Sequence, residues 1–277
     1  MQAGLVSVEP GFGARLYEPW NDQLATQAVL AGVAPGTVWV DEPAAPALAL
    51  MKVGHRLYLA GDCQAKGPAL AQLGCTLFEQ VLPAAKARGE DGYLLYYHDA
   101  GWEAVLGSTL FAGRKVYPGR RNYYELSDLT EDWQPPVTPD LPAGLNLRAV
   151  DAALLEQSHL RNHAALLEEM QSERESVADF MAKSFGSLLV SADAIITWCL
   201  SEYNLGDRCE IGIATDEGYR RQGLATLTAI GMIRQSAAQK MRRVGWHCWL
   251  LNEGSNATAR KLGFKHINEH GAFYIPA

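Results

Sequence analysis

The sequence EIGIATDEGYRRQGLA, residues 210–225, contains the change of pattern on which the fold depends. A β-branched run ends at Thr215, a polar turn with Arg220 and Arg221 follows, and apolar residues at helical spacing begin after Gly223. This order predicts a strand, a short loop and the start of a helix. The first N–H groups of a helix have no intrahelical acceptor and lie at the positive end of its dipole, so such a junction binds anions. We therefore expect a phosphate-bearing ligand here.

Other phosphate motifs fit the sequence less well. A P-loop requires G-x-x-x-x-G-K-[ST], but no Gly-Lys pair followed by Ser or Thr occurs, and G-x-G-x-x-G follows none of the predicted strands. Residues 218–265 contain nine Lys or Arg residues against one acid, Glu253, in a chain of net charge −7. A basic segment in an acidic protein indicates a phosphorylated ligand, although a solvated helix face accounts for some of these charges.

A second motif follows the strand predicted at 244–251. Asn252 begins it, Ser255 comes next, and Leu262-Gly263-Phe264 ends it. Together with R-x-x-G-x-A, from Arg220 to Ala225, this pair of motifs resembles the cofactor motifs of the GNAT superfamily of acetyltransferases. Four segments are similar to its zwittermicin-resistance branch, namely 197–201, 210–213, 219–228 and 246–249.

The resemblance implies that acetyl-CoA is the cosubstrate and that no metal is required. Backbone groups of Ile213, Ala214 and Thr215 would pair with the pantetheine arm like an added strand. Asn252, followed in the motif by Ser255, would contact the same arm. The pyrophosphate would lie at the loop that begins at Arg220 and would accept hydrogen bonds from the N–H groups of five residues, Arg221, Gln222, Gly223, Ala225 and Thr226. The alternatives are a plain turn glycine at Gly223 and a helix cap at Asn252.

Direct acetyl transfer to an amine also needs a group that accepts a proton. Glu210, which begins the strand before the loop, is the first candidate, and an edge-strand surface charge is its alternative. His247 is the second candidate, because an unperturbed histidine side chain has a pKa near 6.5. The alternative is that His247 is a histidine packed in the core. Strand alternation puts His247 and Asn252 on opposite faces, which weakens the claim of the histidine.

The resemblance departs from the family pattern at one position. The tyrosine that many members use as general acid falls at Ala259, which has no proton to donate. A thiol of pKa about 8.5 can leave as the anion without an acid. Cys248, Ser201 and Tyr274 are possible substitutes, although each is more simply explained as structural.

Prolines divide the chain of 277 residues at 135–144, which we expect to be a linker between an N-terminal domain, 1–134, and an acetyltransferase domain, 145–277. The expected class is mixed α/β (α+β), with a C-terminal GNAT fold around a mostly antiparallel sheet. The order strand, long helix, strand, short helix occurs in both halves. The smaller N-terminal α/β domain is therefore a candidate degenerate copy with structural or substrate-covering duties.

Element patterns add further expectations. Residues 37–41 and 55–60 suit a strand pair, apolar spacing predicts a helix from Asp151 through Leu167, and 264–267 with 272–275 suit a closing pair of strands.

Composition and charge limit the classes of function that the protein can have. No apolar run is long enough for a membrane span and the N-terminus does not resemble a signal peptide, so we expect a cytoplasmic protein. The five cysteines form no C-x-x-C pair, which favours reduced thiols over disulfides or zinc. The negative net charge argues against nonspecific nucleic-acid binding. We expect N-acetylation of a small-molecule amine; acetylation of a protein lysine or N-terminus, a non-catalytic acyl-CoA-binding module and a homodimer stay open.

Overall fold

The computed structural model describes residues 4–64 and 67–277. Chain contacts divide these residues into two compact units, one up to Arg121 with Glu269–Ala277 and the other Asn122–Asn268. The strands are β1 Val6–Val8, β2 Thr37–Val40, β3 Leu48–Val53, β4 Arg56–Gly61, β5 Gly92–Tyr97, β6 Tyr117–Leu126, β7 Asn146–Ala149, β8 Gly186–Val190, β9 Ile195–Leu205, β10 Arg208–Thr215, β11 Arg243–Trp249 and β12 Lys265–Pro276.

The α-helices are α1 Leu24–Leu30, α2 Pro68–Cys75, α3 Leu82–Ala87, α4 Gly101–Val105, α5 Ala152–Leu155, α6 His163–Ser172, α7 Val177–Lys183, α8 Leu224–Ala238 and α9 Glu253–Lys261. Pro10–Trp20 and Glu217–Tyr219 are 3-10 helices, and π-helical turns at Thr76–Val81 and Leu106–Leu110 continue α2 and α4. The chain is thus a mixed α/β protein, as the sequence predicts, and its strands form a large, mostly antiparallel sheet.

In the first unit the strand order is β1-β2-β3-β4-β5-β12. Only β4 and β5 are parallel among these pairings. The expected pairing of 37–41 with 55–60 is wrong, because β3 lies between β2 and β4 and pairs with both. Almost every residue of β3 is buried, so the strand lacks the polar alternation by which a half-exposed strand is recognised.

In the second unit the order is β6-β11-β10-β9-β8-β7. Helix α8 packs on one face of this sheet, where Ile230 and Ile233 join the core residues of β10 and β11. Helices α6 and α7 cover the opposite face through Met170 and Phe180, which pack against Leu200 of β9. Successive β10 side chains point alternately into the two cores. We call the side of the sheet covered by α8 the helix α8 face and the side covered by α6 the helix α6 face.

The parallel pair β10 and β11 opens at one end. Pairing runs from Arg208 opposite Arg243 to Ile211 opposite Trp246. Beyond that point β10 continues to Thr215 bonded to β9, and β11 continues to Trp249. In the described residues the two strands therefore diverge after their first four pairs, which leaves one edge of β10 facing the gap.

Two element predictions for the second half are wrong. The helix expected through Leu167 is interrupted between α5 and α6, where Asn162 adopts a left-handed conformation with φ of 67°. The expected closing pair of strands is one strand, β12. Gly271, which suggests a turn in the sequence, is extended and lies so close to the Tyr97 ring that a Cβ would come within 2.1 Å of it.

The two strand orders correspond position by position. Each contains one parallel pair, β4 with β5 or β10 with β11, joined through a helical segment. The order that starts at β1 ends with β12, which is the last strand of the C-terminal half of the sequence. The order that starts at β7 ends with β6, which is the last strand of the N-terminal half. Such a correspondence is what a duplication would produce, and the duplication itself stays a prediction. The proline-rich segment 135–144 contains neither helix nor strand and lies within the second unit, and the domain limits 1–134 and 145–277 stay predictions.

Candidate functional site

A cavity of about 630 Å³ opens in the second unit where β10 and β11 diverge. The 3-10 turn Glu217–Tyr219, the start of α8 and one side of α9 form its walls. Its lining residues are Ile213, Ala214, Thr215, Tyr219, Arg220, Arg221, Gly223, Leu224, Ala225, Thr226, Trp246, Asn252, Gly254, Ser255, Ala257, Thr258 and Lys261. The volume lies within the range that small-molecule sites occupy.

The structure therefore brings the predicted cofactor residues together, although their roles stay predictions. Ten of them line the cavity: Ile213, Ala214, Thr215, Arg220, Arg221, Gly223, Ala225, Thr226, Asn252 and Ser255. Gln222 does not line it, because its side chain turns back and donates to the carbonyl of Gly218 at 3.4 Å. A backbone contact from Gln222 would not depend on that side chain.

The loop before α8 contains two residues in the left-handed region of the backbone. Arg221 and Gly223 both have positive φ, 62° and 79°, and Gly223 is the N-cap residue of α8. A Cβ on Gly223 would meet no atom within 4 Å. Glycine is thus favoured there by conformation, and the space beside it is open to a ligand. By helix geometry the N–H groups of Leu224 and Ala225 have no intrahelical acceptor.

Asp216 fastens this loop to the segment before α6. Its carboxylate accepts hydrogen bonds from the Arg161 guanidinium, from Asn162 Nδ2 at 2.7 Å and from the backbone N–H of Gly218 at 3.0 Å. Hydrogen bonds from Asn162 and Gly218, with the charge of Arg161, lower the pKa of Asp216. Sequence reasoning missed this residue, although Asp-x-Gly before a helix is a recognisable turn signal.

Asn256 organises the turn that carries Asn252. Only 3 % exposed, it donates through Nδ2 to the carbonyls of Trp249, Leu250 and Asn252 at 2.7–3.1 Å. Its Oδ1 accepts from Asn122, Tyr124 and Cys248. Asn252 itself caps α9, since its Oδ1 accepts from the N–H of Ser255 at 3.1 Å. The capping alternative for Asn252 is therefore realised, and the cap uses Oδ1 but not Nδ2.

The two predicted catalytic residues meet on the sheet face opposite α8. Nε2 of His247 lies 3.4 Å from Oε1 of Glu210, and the two side chains are 11 % and 6 % exposed. The Tyr123 ring stacks on His247 at 4.6 Å between ring centroids. Gly245 makes room, because a Cβ there would come within 2.9 Å of Glu210 Cγ and 3.0 Å of Tyr123 Cε2.

Tyr123 is in turn held by charged neighbours. Its hydroxyl donates to Oε2 of Glu125 at 3.0 Å, and Arg243 donates to the same oxygen at 2.7 Å. Burial, with the nearby carboxylates of Glu210 and Glu125, raises the pKa of Tyr123 far above its ordinary value, so its hydroxyl stays protonated. Sequence reasoning missed Tyr123, because only the order of strands places β6 beside β11.

The three residues named as substitute acids, Cys248, Ser201 and Tyr274, each make a structural contact. Ala259 is fully buried in the core beneath α8 and α9. Cys248 contacts Asn256 in the same core, and Ser201 accepts from the N–H of Phe185 at 3.0 Å. Tyr274 belongs to the first unit, where it donates to the carbonyl of Asp91. Each has the structural role that the sequence already favoured.

The basic segment is divided between the cavity and the surface. Arg220, Arg221 and Lys261 line the cavity. Four others bind partners elsewhere, in the pairs Lys240 with Glu131, Arg242 with Asp128, Arg243 with Glu125 and Arg260 with the Tyr124 hydroxyl. Within residues 4–64 and 67–277, no group of three or more His, Cys, Asp or Glu side chains is arranged to hold a metal ion. None of the helices described is both long and apolar enough to cross a bilayer.

Comparisons with known proteins extend over most of the chain. A family model for GNAT acetyltransferases matches residues 14–273. The chain is 26 % identical over 251 residues to "Uncharacterized N-acetyltransferase YdfB" of Bacillus subtilis, covering 89 % of this chain and 88 % of the relative. A GCN5-related N-acetyltransferase-like protein from Streptococcus suis has a similar fold, with a TM-score of 0.70, 20 % identity and coverage of 96 % and 98 %. A tandem GNAT protein from the clavulanic acid biosynthesis pathway gives a TM-score of 0.53, 14 % identity and 98 % coverage of both chains.

Proposed function

Because the chain belongs to the GNAT acetyltransferase family, we propose that it transfers an acetyl group from acetyl-CoA to the primary amine of a small molecule. The observation that carries this proposal is the cavity at the divergence of β10 and β11. A strand edge, a helix N-terminus and a short helix meet there, which matches the parts of a pantetheine-pyrophosphate ligand. An extended arm can pair with the free edge of β10, and a pyrophosphate can accept from the α8 loop.

The donor and the acceptor would reach the split from opposite faces of the sheet. Trp246 lines the cavity and packs in the core with α8, whereas Glu210 and His247 lie on the other face. A thioester carbonyl held in the split would thus be open to an amine arriving beside Glu210. Backbone N–H groups of β10 near Ile213 would stabilise the oxyanion that forms.

In the proposed reaction the amine nitrogen attacks the thioester carbon and the carbon–sulfur bond breaks. Glu210 accepts, directly or through water, the proton that the ammonium loses before attack, and His247 at 3.4 Å is the next acceptor. The nitrogen loses a second proton as the amide forms, and this proton passes through water to the sulfur after the carbon–sulfur bond breaks. The sulfur leaves as a thiolate, since a thiol of pKa about 8.5 needs little assistance. This route requires no acid at Ala259.

The similarity to the zwittermicin-resistance branch favours a small amine-bearing metabolite or antibiotic as the acceptor. Carboxylates near the helix α6 face of the sheet support the proposal that the acceptor is a cation. Glu202 lies over Gly212, where a Cβ would come within 2.2 Å of its Oε1. Glu169 and Glu173 line the small hollow beneath α6 with it, so that three carboxylates there outnumber the one cation, Arg174. An ammonium is attracted to such a surface before it loses its proton.

Thermal unfolding gives the first test. Acetyl-CoA at 100 times its Kd should stabilise the protein by about 2.7 kcal/mol, and Gly223→Glu should abolish the shift because its carboxylate would occupy the pyrophosphate position. Gly206→Glu, on the turn between β9 and β10 with a similarly positive φ, is the matched control and should keep the shift. An unchanged melting curve of the wild type at saturating acetyl-CoA would contradict the proposal.

Turnover is tested separately by release of free CoA thiol with a panel of small amines, including polyamines and aminoglycosides. Thiol release should depend on the amine, and mass spectrometry should find one added acetyl group per acceptor. Tight acetyl-CoA binding without amine-dependent thiol release would instead identify a non-catalytic acyl-CoA-binding module. Acetylation of peptides but of no small amine would favour the protein-acetylating alternative.

A further inference from the structure

Tyr123 is a buried side chain that the proposed reaction does not use. It belongs to β6, the neighbour of β11 in the sheet. Its ring stacks on the imidazole of His247, with 4.6 Å between the ring centroids and 25° between the ring planes. The ring and the Glu210 side chain both lie over Gly245, where a Cβ would meet them at 3.0 Å and 2.9 Å. Tyr123 therefore touches the imidazole and lies beside the carboxylate that the imidazole faces.

The hydroxyl of Tyr123 donates to an acceptor that is itself fixed. That acceptor is Oε2 of Glu125 at 3.0 Å, and the same oxygen accepts from Nη2 and Nε of Arg243 at 2.7 and 3.1 Å. Ser127 donates to the other carboxylate oxygen at 2.7 Å. Burial of Glu125 opposes ionisation, but the hydrogen bonds outweigh burial and lower the pKa of Glu125. At neutral pH Glu125 is thus an anion that fixes the hydroxyl end of the phenol ring.

Strand periodicity places these groups together. Alternate residues of a strand point to the same face of the sheet. Tyr123 and Glu125 therefore share one face of β6, and Arg243, Gly245 and His247 share one face of β11. The ion pair of Glu125 with Arg243 and the stacked rings link the same two strands. On β11 they lie on either side of the glycine.

The imidazole of His247 needs support from a neighbour to keep one orientation. The torsion about the bond between Cβ and the ring of a histidine is broad, so the strand alone does not fix the plane of the ring. A stacked neighbour favours one plane by a factor of about two to ten, which is the size of an aromatic pair interaction. In the plane that the stack favours, Nε2 of His247 lies 3.4 Å from Oε1 of Glu210.

We propose that Tyr123 is a positioning residue whose ring holds the imidazole of His247 in the plane in which Nε2 faces Glu210. Glu125 and Arg243 brace the ring at its hydroxyl end. The inference rests on the proposed proton transfer at Glu210, and it adds to that transfer a residue that acts through His247. Because the hydroxyl donates to Glu125, the stacked ring is the part of Tyr123 that matters for turnover.

A packing role alone makes a different prediction for Tyr123. A buried tyrosine contributes apolar area to a core, and its truncation lowers stability wherever it lies. In that case the effects of Tyr123→Leu and His247→Ala on kcat are independent, and in the double variant they multiply. If Tyr123 acts through His247, the double variant loses less than that product. The double-mutant cycle therefore separates positioning from packing.

The experiment measures kcat for thiol release with saturating acetyl-CoA and the small amine that supports the fastest turnover of the wild type. Tyr123→Leu should lower kcat about twofold to tenfold through loss of the stack, and should leave the KM for acetyl-CoA unchanged. Tyr123→Phe keeps the ring without the hydroxyl and should retain kcat within about twofold. In a chain that already carries His247→Ala, Tyr123→Leu should lower kcat no further.

Tyr124→Leu is the matched control. Tyr124 is the next residue of β6 and is also buried, but it packs in the core on the helix α8 face, where its hydroxyl donates to Asn256 at 2.9 Å. Its effect on kcat, whatever the size, should multiply with that of His247→Ala. If Tyr123→Leu does not fold, Tyr123→Met takes its place in the cycle, because a flexible methionine fills buried gaps without supplying a ring.

Three outcomes would overturn the positioning role while leaving the proposed acetyl transfer intact. The first is a double variant whose kcat shows the full product of the two separate losses. The second is a loss in Tyr123→Phe as large as that in Tyr123→Leu. The third is an unchanged kcat in His247→Ala, because Tyr123 would then have no residue to act through. Absence of amine-dependent thiol release from the wild type would overturn both proposals.

Discussion

Nε2 of His247 lies 3.4 Å from Oε1 of Glu210, although 36 residues and the whole of α8 separate them in the sequence. The parallel pairing of β10 with β11 sets Glu210 opposite Gly245, two residues before the histidine. The missing side chain at Gly245 lets the carboxylate and the Tyr123 ring approach each other over the sheet. A carboxylate and an imidazole are thus adjacent at the base of the strand split.

Glu210→Gln tests the role of that carboxylate. Loss of the general base should lower kcat by about 10²- to 10⁴-fold at neutral pH. Acetyl-CoA affinity, measured by thermal shift, should stay unchanged because the side chain lies on the other face of the sheet from α8. Glu202→Gln is the matched control, since it removes a neighbouring carboxylate and should act on the KM of the acceptor. Wild-type kcat in Glu210→Gln would exclude the base role.

Gly245→Ala tests the packing on which this arrangement depends. The added Cβ would lie 2.9 Å from Glu210 Cγ and 3.0 Å from the Tyr123 ring, so both side chains must move. We expect a loss of stability of about 1–3 kcal/mol in denaturant unfolding and a fall in kcat. Gly107→Ala, where a Cβ meets no atom within 4 Å, should change neither. Full activity in Gly245→Ala would show that the close approach is not needed.

Asn252 and Asn256 should differ in what they affect. Asn256→Ala leaves three carbonyls and the Asn122 and Tyr124 donors without their buried partner, and should cost about 2–4 kcal/mol. In a chain of this size that corresponds to a fall in Tm of about 5–10 °C. Asn252→Ala removes a helix cap and should cost only about 1 kcal/mol of stability. It should, however, raise the KM for acetyl-CoA. The reverse pattern of effects would contradict both assignments.

Asp216→Asn tests whether ionised Asp216 stabilises the protein by holding the loop before α8. The test is the pH dependence of the difference in Tm between the wild type and the variant. Because hydrogen bonds and Arg161 lower the pKa of Asp216 in the folded protein, its stabilising effect is complete above the unfolded value of about 3.9. The effect is lost only as pH falls through the lower folded pKa. The Tm difference between wild type and Asp216→Asn should therefore be constant from about pH 5 to 8 and shrink in stronger acid. A difference that grows in acid would be inconsistent with an ionised Asp216.

Local patterns were sufficient for the strand, loop and helix around residues 210–225. Strand alternation, a loop with Gly223 and helical spacing in α8 all act within about 20 residues, so the sequence alone determines them. The motif from Asn252 to Phe264 is equally local. Consequently the sequence singled out residues that the structure collects around one cavity, and their cofactor role stays a prediction.

Such local patterns did not predict the order of strands in the sheet or some element boundaries. The place of β3 between β2 and β4, the undivided strand β12 and the break before α6 depend on burial against partners far along the chain. A strand buried along almost its whole length, such as β3, has no alternation of polar and apolar residues to reveal its partners. A glycine such as Gly271 suggests a turn unless the packed Tyr97 ring beside it is known.

The sequence by itself thus determined the strand, loop and helix start between β10 and α8, where we expect an anion site, because helix start signals and glycine conformation are properties of neighbouring residues. Only the tertiary structure decided what surrounds that site. It placed His247 against Glu210, set Tyr123 beside them and brought Lys261 to the far wall of the cavity. These relationships follow from strand order and helix packing, which are settled by the burial of apolar faces across the whole unit.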